Sequence, residues 1–178
     1  MNMRPLETNV PSNSLVAPLL NGASLHDSWS ITSCNAELSA LDHFIVAAKR
    51  APRWIDLCMT VRNRTGRIVG LKDLGTLSGV AAEKPASAYK PGDRVSIFTV
   101  FENSFDEALI GDRDKHLNVV LSIHREKCVD GKRVVVTVTT VVHVKNMLGR
   151  IYMLPVKPMH RLIAPAVLAT VGDAAYAT

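Results

Sequence analysis

The chain has little of what staples or metallates a small protein. Its three cysteines, Cys34, Cys58 and Cys128, are odd in number, scattered and never paired as CxxC. Neither a disulfide framework nor a thiolate metal site is indicated, and a reducing cytosol is the simplest home. Long apolar runs are missing as well. Ile163 to Val171 is too short to span a bilayer and contains a proline. The first fourteen residues, MNMRPLETNVPSNS, lack the apolar centre of a signal peptide. There is no GxSxG, no phosphate-binding loop, no GxGxxG opening a helix and no HExxH. Catalytic residues are therefore unassigned, and no cofactor or metal is expected.

The composition that remains is that of a folded body. Of 178 residues, 47% are hydrophobic and little is low-complexity, which excludes a disordered chain. A chain of this length buries on the order of 70% of its unfolded surface. The expected organisation is an arm over 1–23, one domain over 24–172 and a tail over 173–178. The arm carries an apolar patch, Leu15 to Leu20, suited to docking on the body.

Positive charge is concentrated. Between Lys49 and Lys72 stand seven basic residues opposed only by Asp56, a net +6 against +5 for the whole chain. Such a cluster suits nucleic acid, anionic lipid or an acidic ligand. No aromatics interleave with it at stacking distance and no nucleic-acid motif accompanies it, so it reads as the solvated side of two helices.

The clearest structural statement comes from residues 116–145. Two β-branched runs flank Val129-Asp130-Gly131-Lys132, and Asp-Gly between such runs predicts a hairpin with a type I′ turn. Counting outward pairs Ile123 with Val138, Leu121 with Thr140, Val119 with Val142 and Leu117 with Val144. The other face pairs His124 with Thr137, Ser122 with Thr139 and Asn118 with His143, and is expected to be the wet one. Alternation of apolar and polar residues selects the same two faces.

Around this hairpin the chain reads as follows. Residues 24–34 form a strand. Ser39 to Asp42 has capping-box spacing and opens a helix burying Leu41, Phe44, Ile45 and Ala48. A second helix from Pro52 ends near Arg64–Gly66 and buries Trp54, Ile55, Leu57, Cys58 and Val61. The connection 72–92 is long enough to be a lid. Asp93–Glu102 is one strand with Val95, Ile97, Thr99 and Phe101 on one face. Phe105–Ile110 is a short strand turned by Gly111–Asp114. Ile151–Leu154 precedes a last helix from Lys157 or Pro158 to Val171, with Pro158 in its first turn, Gly172 at its end and a bend near Arg161 imposed by Pro165.

The fold class expected from this order is α+β. A curved antiparallel sheet of six or seven strands wraps a long C-terminal helix, with two short helices after the first strand. At the motif level the chain resembles a bacterial family, domain of unknown function 2867. The resemblance rests on Val61-Arg62-Asn63 with Gly70-Leu71-Lys72, on Gly111 with Asp114 to Leu117, and on Thr139 to Val142. It rests most on Leu148 to Tyr152 followed by Val156 to Ile163, where Met159 stands in place of the family's usual Phe. It covers residues 10–171 and implies the helix-grip layout of the START-like, polyketide-cyclase-like (SRPBCC) superfamily, with a cavity between sheet and helix. It carries no catalytic residue.

Three functions fit. The first is binding of a small apolar or amphipathic molecule in that cavity. Its walls would be Phe44, Trp54, Ile55, Ile97, Thr99, Phe101, Leu121, Val138, Thr140, Ile163 and Val167, with Arg150, Tyr152 and Arg161 at the rim. The second is a cyclase, hydratase or isomerase in the same space, opposed by the absence of an inward titratable group on the hairpin. The third is an interaction module using segment 49–72 on nucleic acid or anionic membrane. A metal shared by His116 and His143 with Asp114 is the weakest reading, and His160-Arg161 either holds an acidic head group or braces the turn at 150–152. Oligomeric state is left open.

Overall fold

The structure, a computed structural model, describes residues 4–68, 75–79 and 84–172, with only the backbone for 65–68. Among them seven strands form one curved antiparallel sheet. They are β1 (Leu6–Glu7), β2 (Leu25–Ser33), β3 (Arg94–Val95), β4 (Phe98–Asn103), β5 (Glu107–Arg113), β6 (Leu117–Lys127) and β7 (Val134–Val144). Their order across the sheet is β1-β2-β7-β6-β5-β4-β3. The helices are α1 (Ala40–Lys49), α2 (Arg53–Ile68) and α3 (Met147–Gly172). A long C-terminal helix against a curved antiparallel sheet is the helix-grip layout. No helix among the described residues is long and apolar enough to cross a membrane.

The β6–β7 register is the one expected, rung for rung, from Leu117–Val144 to Lys127–Val134. Its tip differs. Gly131 has φ +65° but Asp130 is not in the positive region, so the turn is not type I′. Gly131 N–H donates to the Cys128 carbonyl, and Cys128 N–H to that of Arg133. The Asp130 carboxylate accepts from the backbone N–H groups of Lys132 and Arg133. A four-residue loop leaves the same register as a two-residue one, so the count survived the wrong turn type.

Residues 93–103 are not one strand. Val95-Ser96-Ile97-Phe98 makes a tight turn with Ser96 at φ +54°, and β3 folds back on β4 through Arg94–Thr99 and Val95–Phe98. A bulge at Phe101 then shifts the pairing between Val100 and Glu102. β5 runs further than expected, through Gly111 to Arg113. Gly111 sits inside the strand because a Cβ there would strike the Val119 carbonyl and the Phe101 ring. The turn into β6 is made instead by Asp114, whose Oδ1 accepts from His116 and Leu117 N–H.

α1 opens with the full capping box, Ser39 and Asp42 each accepting from the other's backbone N–H. Its expected inner face, Leu41, Phe44, Ile45 and Ala48, is buried. α2 keeps only Ile55 and a half-buried Cys58 of its expected inner face. Ile55 is buried and Met59 half-buried, while Trp54, Leu57 and Val61 are exposed. The row facing inward is Ile55, Met59 and Asn63, and Asp56 is tied to Leu77 N–H and Ser78 Oγ. The expected lid lies partly outside the described residues. Where described, it is pinned to the body: Asn103 donates to the Ala86 and Tyr89 carbonyls, and Leu77, Ala86 and Tyr89 are buried.

α3 begins ten residues before the expected start, so Leu148 to Leu154 is helix and the expected turn at 150–152 is absent. Asn146 caps it, its Oδ1 accepting from Gly149 N–H at 3.1 Å while its Nδ2 reaches the Lys115 carbonyl at 3.0 Å. Gly149 rests on the His116 carbonyl so closely that a Cβ would clash.

The second face of the sheet is not wet. Ser122 and Thr139 have no exposed surface. The segment before β2 covers them: Val16 is fully buried with Leu109, Val120 and Val141 beneath it. Ser14 Oγ and Leu15 N–H both donate to the Glu107 carboxylate, at 2.5 and 2.9 Å, and Ser122 Oγ donates to it at 2.6 Å. A buried carboxylate satisfied in this way latches the N-terminal segment onto the sheet.

Candidate functional site

Facing α3, the sheet's inner side sets Leu121 beside Thr140 and Thr140 beside Asp27, across three adjacent strands. Asp27 reaches this face through period-two alternation with Leu25, Trp29 and Ile31. From above, α3 brings down His160, whose Nε2 is 3.2 Å from Asp27 Oδ1. The two side chains are 10% (Asp27) and 21% (His160) exposed. Burial alone would push the Asp27 carboxyl up. The hydrogen bond and charge of His160, with lesser help from Trp29 and Thr140, outweigh that and hold it below its ordinary value. An ionised carboxylate facing an imidazole, with a threonine hydroxyl beside it, can orient that imidazole, take or give a proton, and hold one polar group of a guest.

Around this pair the surface is apolar and incompletely covered. Trp29, Leu121 and Val138 on the sheet and Ile163, Ala166 and Val167 on α3 pack against the core yet stay partly exposed. By contrast Ile31, Ile110, Ile123, Val134 and Val136 are buried. α3 contributes only Gly149, Leu168, Val171 and Gly172 as buried residues. Its C-terminal end is therefore seated, and the stretch over Thr140 and Leu121 is less so.

The residues expected to line a cavity divide accordingly. Leu121, Val138, Thr140, Ile163 and Val167 belong to this region. Phe44, Ile55 and Ile97 are solid core, Phe44 meeting Phe98 edge-to-face at 5.9 Å. Thr99 and Phe101 lie on the opposite face: Thr99 pairs with Gly111, Gly111 with Val120, and Phe101 packs in the cluster under Val16. The Ser96 turn and the Phe101 bulge cause this, putting Val100 inward instead. Trp54 is exposed. Arg150 and Arg161 are exposed, with no turn at 150–152 to brace. Tyr152 accepts from Arg62 Nε at 2.9 Å, the guanidinium lying 5.4 Å from the ring centroid, and so joins α2 to α3.

His116, His143 and Asp114 do not converge. His116 Nδ1 faces Asn146 Oδ1, His143 Nε2 faces the Asn21 carbonyl, and Asp114 holds its turn. No three potential metal donors cluster among the described residues.

What sequence reading missed is the pair itself. Both signals were present: Asp27 alternates in phase with apolar residues, and His160 stands three and seven positions before Ile163 and Val167. Only the pairing of β2 with β7 shows that they meet. No curated protein and no solved structure matches the chain. The model of one protein family, of unknown function, matches residues 19–167, and the chain belongs to that family, DUF2867.

Proposed function

We propose that the protein binds a small, mostly apolar molecule with one polar group in the space between the inner sheet face and α3. The observation that carries this reading is the Asp27–His160 pair, set largely out of water among half-covered apolar side chains. A buried pair contributes little to stability for its own sake, because desolvation offsets the attraction. An apolar surface with a few convergent polar groups is what a ligand site needs. The element order further supports placing the family in the START-like (SRPBCC) superfamily, and the three free cysteines fit a reducing compartment.

Displacement of a fluorescent apolar probe by fatty acids and aromatic lipids tests this. Wild-type protein should take up the probe, and Leu121→Trp should block it. Asp27→Asn should weaken ligands bearing a polar head by roughly tenfold, leaving wholly apolar ones unchanged. No uptake by the wild type, or equal uptake by the Leu121→Trp variant, defeats the proposal.

The same pair favours a second reading, acid–base catalysis on the guest, with His160 as the proton carrier and Asp27 holding its ring. A compound turned over by wild type, and bound but not turned over by His160→Gln, would establish it. Unchanged turnover in that variant would remove it.

A further inference from the structure

The outer side of α3 carries a pattern that the inner site does not use. Met147, Ile151, Leu154, Pro158 and Leu162 recur at spacings of four, three, four and four, which sets them in one row down the helix. The four large apolar members are 57–74% exposed. Alongside run Arg150, Lys157 and Arg161, all exposed, and α3 contains no acidic residue at all. α2 repeats the composition: Trp54, Leu57 and Val61 are 40–64% exposed, and Arg53 and Arg64 are exposed with them. Its only carboxylate, Asp56, is committed to residues 77 and 78. The bond from Arg62 to Tyr152 ties the two helices at one point.

Scattered exposed leucines are ordinary. Apolar rows along two helices, bordered by an excess of cations, are not. A second copy of the chain is a poor occupant, since two-fold pairing across this face would bring each basic row against its own like. An acidic protein surface would answer the charge and leave the apolar rows without a partner. A bilayer rich in anionic lipid answers both. Leucine, isoleucine and methionine enter the acyl boundary, tryptophan sits at the headgroup level, and arginine and lysine meet phosphate.

We propose that the outer face of α3, with the exposed row of α2 contributing, docks the protein on an anionic lipid surface, lying in the interface without crossing it. The outer rows share no side chain with the Asp27–His160 site, so docking and ligand binding are separable by mutation.

Co-sedimentation of the full chain with vesicles tests it, using phosphatidylcholine alone and phosphatidylcholine with one part in three phosphatidylglycerol. Wild type should pellet with the anionic vesicles, weakly or not at all with the neutral ones, and less as salt rises. Arg150→Gln with Arg161→Gln should weaken binding roughly 30-fold, and Ile151→Asp with Leu154→Asp should abolish it. Asp27→Asn should pellet like wild type. Thermal melting confirms that the variants fold, and Ile151→Gln with Leu154→Gln serves if the acidic substitutions disturb folding. Failure of the wild type to bind anionic vesicles overturns the proposal, as does equal binding by the Ile151→Asp, Leu154→Asp double variant. So does light scattering that shows a dimer split by those same substitutions without vesicle binding, which would give the face to a second copy.

Discussion

His43 shows what burial does to a single titratable residue. It lies on α1 with 1% of its surface exposed, Nδ1 facing the Ser39 carbonyl and Nε2 without a partner among the described residues. Burial first, and the charge of Arg125 second, push it down to about 4. Unfolded, it titrates near 6.5. Between these values the unfolded chain takes up a proton that the native one refuses, so stability is full above about pH 6.5 and declines as pH falls toward 4. That single residue should cost roughly 2 kcal/mol between about pH 7 and about pH 5. Urea denaturation at the two pH values measures it, and His43→Gln should show a flatter profile. Asp27 acts in another window. Its lowered carboxyl favours the folded state above the ordinary carboxylate range, and that contribution is lost only as pH falls below it.

At the scale of elements, legibility followed the number of independent constraints. The β6–β7 hairpin was readable to the rung because turn spacing and alternation both fixed it, and an error in the turn type did no harm. β3 and β4 were not, because Ser96-Ile97 turns without a glycine and continues the apolar alternation across the break. α2 is apolar on two sides, so periodicity placed Ile55 inward correctly but Trp54, Leu57 and Val61 with it, which the fold leaves exposed. The start of α3 was hidden because Gly149 and Pro155 precede Pro158, which itself suits a first helical turn. Gly149 is there for close approach to β6, and Asn146 supplies the missing N-cap. Asn146→Ala should therefore cost about 1 kcal/mol for the cap. It should also free the Lys115 carbonyl, and chemical denaturation should show the sum. A variant as stable as wild type would mean that the helix begins later.

For the whole molecule, half of the site could be read and half could not. Thr140, Leu121 and Val138 came from the hairpin alone, whereas Asp27 and His160 are 133 positions apart and meet only once the sheet is built. The larger surprise is that both faces of the sheet are covered. Val16→Ala should destabilise by about 2–3 kcal/mol, through lost burial and the cavity left behind. A chain lacking residues 1–23 should bind an apolar dye through its uncovered Leu109, Val120 and Val141. A dye-silent, fully stable truncation would show the covering to be dispensable. The strand order also sets a timetable. β2 has only the two short rungs of β1 until β7, more than a hundred residues later, has left the ribosome, and the latch for Ser14 waits on β5 and β6. The first segments made are thus among the last to find their partners, and the nascent chain must carry an open strand edge through most of its synthesis.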